Sequence, residues 1–202
     1  MILKHNKEKV GLLTGFFLYN SFICCTMKDG NLEGETRMVA LRIEEQKTFT
    51  SGLFLGELFD RFLVREVNIT TFNSFMIDGR VRHGYYSDEE LEENQIEEFS
   101  AWKVLKPFCF SLIKGKRLPE SFRIVFMLSP DGKEKFVENH VPGMQPDSVG
   151  GLYLNVIYEN NEMTVVTGTS MNIFTMDKTL EREWDERVKQ FLKKHDVVCS
   201  EK

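Results

Sequence analysis

The sequence predicts an α+β fold: a mainly antiparallel sheet of hairpins packed against two longer helices. Three observations predict it. Short stretches rich in β-branched and aromatic residues come in pairs separated by turn-forming dipeptides. Two longer stretches repeat apolar residues every three or four positions. Strands and helices do not alternate regularly, which disfavours a parallel, doubly wound sheet.

Met38 to Ile43 is a short apolar run that reads as a first strand. Between Gln46 and Phe62, Phe49, Leu53, Leu58 and Phe62 fall near helical spacing, but Gly52 and Gly56 favour two short helical pieces over one. Phe62 to Ile77 alternates with period two, and Asp78-Gly79 after it is the strongest hairpin signal in the chain. Arg80 to Tyr86 is then expected as the more polar return strand. Ser87 to Glu98 holds seven acids and no base, the pattern of a solvated loop or helix start. Ser100 to Lys114 repeats Trp102, Leu105, Phe108/Cys109 and Leu112, with a kink or restart expected at Pro107 and an end at Gly115. Ser121 to Leu128 is a strand, and 131–140 a short helix. Leu152 to Tyr158 and Met163 to Thr167 flank Glu159-Asn160-Asn161-Glu162 as a hairpin, and Met171 to Thr175 is a further candidate strand. Asp177 to His195 is the strongest helix, with Leu180, Trp184, Val188, Phe191 and Leu192 on one stripe and Asp177 placed to cap it.

The expected organisation is one globular domain over residues 38–195 and a flexible tail over 196–202. Residues 1–37 are set apart as a doubtful extension. Val10 to Met27 is uncharged and follows Lys4, Lys7 and Lys9, as in a signal peptide or membrane anchor. No small-x-small cleavage site follows, and polar residues interrupt the run. Glu33-Gly34-Glu35 can instead be encoded as a purine-rich ribosome-binding sequence just ahead of Met38, which implies a mis-set start codon. A structured N-terminal helix is the third reading. Membrane association is expected only if residues 1–37 belong to the protein.

Of the 202 residues, 26 are Lys or Arg and 31 Asp or Glu, and 42% are apolar. These figures exclude a disordered chain and disfavour a dedicated nucleic-acid coat. From Met38 onward only Cys109 and Cys199 remain, which is cytoplasmic usage and not a disulfide framework. Cys109 lies among Pro and Phe, as a buried inert thiol would. The scattered histidines predict no metal site, and no cofactor is expected.

No phosphate-binding P-loop, dinucleotide fingerprint, nucleophile elbow, zinc-protease or EF-hand motif is present. The clearest charge signal is the stretch from Lys103 to Arg123, six bases against Glu120. Its dense part, Lys114, Lys116 and Arg117, sits at an expected helix end, where the dipole alone favours cations. It also reads as an anion site for a nucleic acid or phosphorylated ligand, joined by Arg80 and Arg82 if the two elements meet. Phe72, Phe75, Tyr85 and Tyr86 could add stacking surfaces. Thr167-Gly168-Thr169-Ser170 reads as a bulge or turn, or as a set of donors to an anion. The preferred reading is a non-enzymatic domain that binds an anionic partner. The alternatives are an enzyme acting on a phosphorylated or carboxylated small molecule with His83 as acid/base, and an assembly module with an exposed Phe-rich face. Glu181/Asp185 and Glu183/Arg187 read as solvated pairs on the last helix.

The segments Ile69–Arg80, Pro107–Arg117, Ser121–Pro130, Gly151–Glu159 and Thr167–Asp185 together resemble an uncharacterised family of small proteins from Gram-positive anaerobic bacteria, catalogued as a domain of unknown function. The likeness covers Met38 to Lys194. It implies no activity, cofactor or site residue, but it supports a natural start near Met38.

Overall fold

The computed structural model describes residues 38–202 apart from His83 and Gln95. Seven strands form one sheet: β1 (Ala40–Ile43), β2 (Leu63–Thr70), β3 (Ser74–Asp78), β4 (Ser121–Met127), β5 (Val149–Glu159), β6 (Glu162–Met171) and β7 (Cys199–Glu201). Their order is β3-β2-β4-β5-β6-β1-β7, and every pairing is antiparallel. The helices are α1 (Gln46–Phe54), α2 (Asp88–Glu93), α3 (Trp102–Ile113), α4 (Pro130–His140) and α5 (Thr179–Lys194). The molecule is therefore α+β, with α3 and α5 as the two longer helices.

Alternation along the central strands explains the layering. Phe122, Ile124 and Phe126 of β4, Leu152, Leu154 and Val156 of β5, and Met163 and Val165 of β6 are buried. The residues between them, such as Arg123, Tyr153 and Asn155, lie on the other, more open face. The helices cover the buried face with aromatic side chains. Phe126 stacks on Phe59 at 5.2 Å and meets Trp102 edge-on at 5.3 Å, while Phe191 of α5 reaches Phe59 at 5.8 Å. Each such ring pair adds about 0.5–1.5 kcal/mol to the burial itself.

Gly79 does not turn a hairpin. The chain reverses earlier, at Thr71-Phe72-Asn73, where Thr71 N–H donates to the Asn73 carbonyl at 2.9 Å. Val67 pairs with Ile77 and Ile69 with Phe75, so these odd-numbered apolar residues of the two strands share one face, while Met76 lies exposed on the other. The turn preserves that parity, which is why the alternation runs through it without a visible break. Gly79 serves a close approach instead, since a Cβ there would overlap the Val64 carbonyl oxygen. Arg80 to Tyr86 is not a return strand: Arg80 forms an isolated bridge with Phe99.

Other expectations shift in smaller ways. The acidic run starts α2 through a capping box between Ser87 and Glu90. α3 continues through Pro107 as one helix. β6 runs straight through Thr167-Gly168-Thr169-Ser170, and the register shift lies opposite, between Val149 and Gly151. β6 ends at Met171, and no separate strand covers 171–175. Residues 199–201, expected in a flexible tail, form β7 against β1. Ser200, Glu201 and Lys202 are anchored by polar contacts that composition did not announce, such as Lys202 Nζ to Glu162 at 2.6 Å. The readings of residues 1–37, and the acid/base expectation for His83, lie outside the described residues.

The segments that flank α3 hold both ends of β2. The helix begins where Ala101 bridges Leu63, and it ends just before a loop whose Glu120 N–H donates to the Thr70 carbonyl at 2.9 Å. It thus runs alongside β2 from the Leu63 end to the Thr70 end.

Candidate functional site: a cavity between α4 and α5

Ser129 sets the start of α4. Its hydroxyl accepts from Gly132 N–H at 3.2 Å, and Pro130 occupies the first turn. Asp177 steadies the start of α5, its carboxylate accepting from Thr179 N–H at 2.9 Å and from Thr179 Oγ1 at 2.6 Å. Those bonds hold the Asp177 carboxyl below its ordinary range. The apolar stripe of α5 faces the sheet, with Leu180, Trp184, Val188 and Leu192 buried.

Between α4 and α5 lies a cavity of about 340 Å³. Its walls are apolar: Phe62, Leu154, Phe136, Trp184, Val188 and Phe191. Trp184 is held on two sides. Its Nε1–H donates to the Tyr153 carbonyl at 2.9 Å, and its ring meets Phe136 edge-on at 5.4 Å. The polar lining consists of Lys135, Asn139 and His140 from α4 and Arg187 from α5. Lys135 and Arg187 form no ion pair among the described residues, and no carboxylate lines the cavity. His140 stacks flat on Phe136 at 4.8 Å, and its Nδ1 lies 3.0 Å from the Phe136 carbonyl oxygen. A carbonyl only accepts, so Nδ1 carries the proton and Nε2 is the free atom. The volume is at the lower end of the roughly 300–1,000 Å³ usual for small-molecule sites. Lys135, Asn139 and Arg187 are exposed, so they stand at the solvent side of these apolar walls.

A second, smaller cavity of about 220 Å³ lies between α1 and the end of α5. Its polar lining has the opposite character, Glu45 and Asp196 beside His195 and Thr48.

The basic residues singled out from the sequence do not converge. Lys114, Lys116 and Arg117 are exposed in the loop after α3, at the Thr70 end of the sheet. Arg80 lies at the Leu63 end, 3.6 Å from Glu98 and 5.3 Å over the Phe99 ring, and the exposed Arg82 follows it. The length of β2 separates the two groups, so Arg80 and Arg82 do not join Lys114, Lys116 and Arg117. The rest of the basic stretch disperses too. Lys106 binds Asp60 at 2.5 Å and the Gly56 carbonyl at 2.6 Å, and Arg123 points to Asn155 on the open sheet face.

The sequence reading missed Lys135 and His140, and it read Arg187 as the solvated partner of Glu183, whereas Glu183 meets Arg182 at 4.0 Å and Arg187 forms no ion pair among the described residues. A local signal existed in Phe136-x-x-x-His140 and in Arg187 beside the stripe of α5. That the two helices face each other was not legible, because no local pattern encodes which elements are neighbours.

The reading of Glu181/Asp185 as a solvated pair is corrected. Asp185 is 8% exposed and accepts a hydrogen bond from Thr167 Oγ1 at 2.5 Å. Glu181 Oε2 is buried and has no hydrogen-bond partner. Burial pushes the Asp185 carboxyl above its ordinary range, and the Thr167 hydroxyl partly opposes that shift. The signal was present in the sequence: 185 falls on the stripe of 188 and 192, and 167 continues the inward parity of 163 and 165. Cys109 is buried and its thiol is pushed up to about 12 by burial, as an inert core thiol should be.

Among the described residues, no helix is long and apolar enough to cross a membrane, and no group of three or more His, Cys, Asp or Glu is placed to hold a metal ion. No curated protein and no solved structure matches the chain. One family model does match, over residues 52–199, from the last turn of α1 to the first residue of β7, including every residue lining the α4–α5 cavity. Its description is "Family of unknown function (DUF5721)", and the chain belongs to that family.

Proposed function

We propose that this protein is a cytosolic binding domain for a small anionic molecule with an apolar body, held between α4 and α5. One observation carries the reading: two cations from different helices, neither in an ion pair among the described residues, line a single apolar cavity. The apolar body would lie against Trp184 and Phe136. A carboxylate or phosphate would meet Lys135 and Arg187, with His140 Nε2 and Asn139 beside them. Arg suits the role because its planar fork matches either oxyanion. The described lining supplies one imidazole and no hydroxyl, thiol or carboxylate, which favours binding over turnover. Cysteine usage supports the cytosolic placement.

Calorimetric titration with a series of aliphatic and aromatic carboxylates, each beside its neutral amide, tests the reading. The acids bind at least about tenfold tighter than the amides, a preference worth about 1.4 kcal/mol. Equal affinity for acid and amide, or no binding by any of them, overturns it.

A further inference from the structure

We propose that the Thr70 end of the sheet docks on an anionic lipid surface. Two loops project there. The turn 71–73 joins β2 to β3, and the loop 114–120 enters β4; Thr70 pairs with Ser121 and accepts from Glu120 N–H, so the loops are neighbours. Each exposes a large apolar side chain, Phe72 at 83% and Leu118 at 79%. Phe108, on the last turns of α3, is exposed as well.

Lys114, Lys116 and Arg117 lie within four residues of Leu118 and form no ion pair among the described residues. Five residues span at most about 18 Å, so the three positive potentials overlap within about two screening lengths. Among the described residues the acids nearest these loops are few, and Glu44 and Glu45 lie farther along this end, after β1. Glu120 is in the loop itself, Glu159 lies across β4 at the end of β5, and Glu162 is held by Arg42 at 3.1 Å and Lys202 at 2.6 Å.

Apolar tips beside a cluster of cations match a bilayer surface, where the tips enter the acyl boundary and the cations meet anionic headgroups. A nucleic-acid backbone would use the cations and leave Leu118 without a role. This inference is independent of the α4–α5 cavity, which lies at the other end of the sheet beside Phe62, Leu128 and Leu154.

The test uses the full chain with phosphatidylcholine vesicles, with and without phosphatidylglycerol. The uncharged run near the N-terminus has its own reason to meet a bilayer, so the reading is the preference for anionic over neutral vesicles. That preference is large at low salt, and the triple variant Lys114→Gln, Lys116→Gln, Arg117→Gln lowers it by about a hundredfold. In a Phe72→Trp variant, brominated acyl chains quench the added indole. A chain with no anionic preference, or one whose preference survives the triple substitution, overturns the proposal. So does an added indole that escapes quenching on bound protein, or a mobility shift with short RNA or DNA without vesicle binding. Circular dichroism of each variant confirms that the fold is retained.

Discussion

The two ends of the β2–β4 pair combine the same ingredients in opposite shapes. At the Leu63 and Met127 end, apolar side chains form a concave wall, and the exposed Lys135 and Arg187 border it. At the Thr70 and Ser121 end, apolar side chains stand on exposed loops, and Lys114, Lys116 and Arg117 lie in water on the loop that carries Leu118. Shape decides what the charges can do. A cation beside an apolar cavity meets a single bound anion, so salt competes with few contacts. A cation on an exposed loop acts through high dielectric on an extended surface and is screened within about 10 Å at ordinary ionic strength.

The sharpest way to break this comparison is to remove a cavity wall. Trp184→Ala deletes a buried ring together with its hydrogen bond to Tyr153, and a loss of about 3–5 kcal/mol in urea unfolding is expected. A loss below about 1 kcal/mol would mean that the cavity end is as loosely built as the loops.

Asp185, on the same helix, gives the next largest effect. Asp185→Ala is expected to cost about 1–3 kcal/mol by removing the nearer of two acceptors for the Thr167 hydroxyl, the other being the Val39 carbonyl at 3.3 Å. Its pH dependence has a definite sign. The folded carboxyl titrates above its unfolded value, so the native state holds the proton more tightly. The stability this contributes is present at acid pH and is lost as pH rises from the ordinary carboxylate range through the raised folded value. Asp185→Asn keeps an acceptor and has no charge to bury. Unfolding midpoints at a series of pH values should show that fall in the wild type and not in the Asn variant. An equal fall in both would assign it to another group.

Ligand affinity comes third. Arg187→Ala and Lys135→Ala should each weaken binding of the anionic ligand about tenfold, or about 1.4 kcal/mol, with stability nearly unchanged. Raising the salt should reduce this binding much less than it reduces vesicle binding. Identical salt dependence at both ends would erase the distinction between them.

The smallest effect belongs to the tip. Phe72→Ser and Leu118→Ser should change folding stability by no more than about 0.5 kcal/mol, because both side chains are mostly in water and the edge-on contact of Phe72 with Phe75 is itself exposed. A larger loss by thermal unfolding would show that the loops pack on something in the folded protein and are not free to dock.

Much of the fold was legible in the chain. The stripe of α5 and the β5–β6 hairpin follow from spacing that reports which side of an element is buried. Asn160 and Asn161, at φ of 53° and 61°, form the turn their residue type favours. The β2–β3 turn was not legible, because it keeps the parity of the alternation. The last strand was not legible either, since three residues carry too little pattern and β7 exists by pairing with a strand over 150 positions earlier.

Sequence alone determined the α+β class, the inert character of Cys109 and the presence of an unusually basic stretch from Lys103 to Arg123. Only the tertiary structure decided that this stretch disperses, that Arg80 and Arg82 stand apart from Lys114, Lys116 and Arg117, and that Lys135 and Arg187 share a cavity. The physical reason lies in what each level encodes. Local periodicity records the direction each side chain takes from its own backbone. Which side chains meet depends on strand order and on helices crossing between them, and these are settled by burying the whole apolar surface at once.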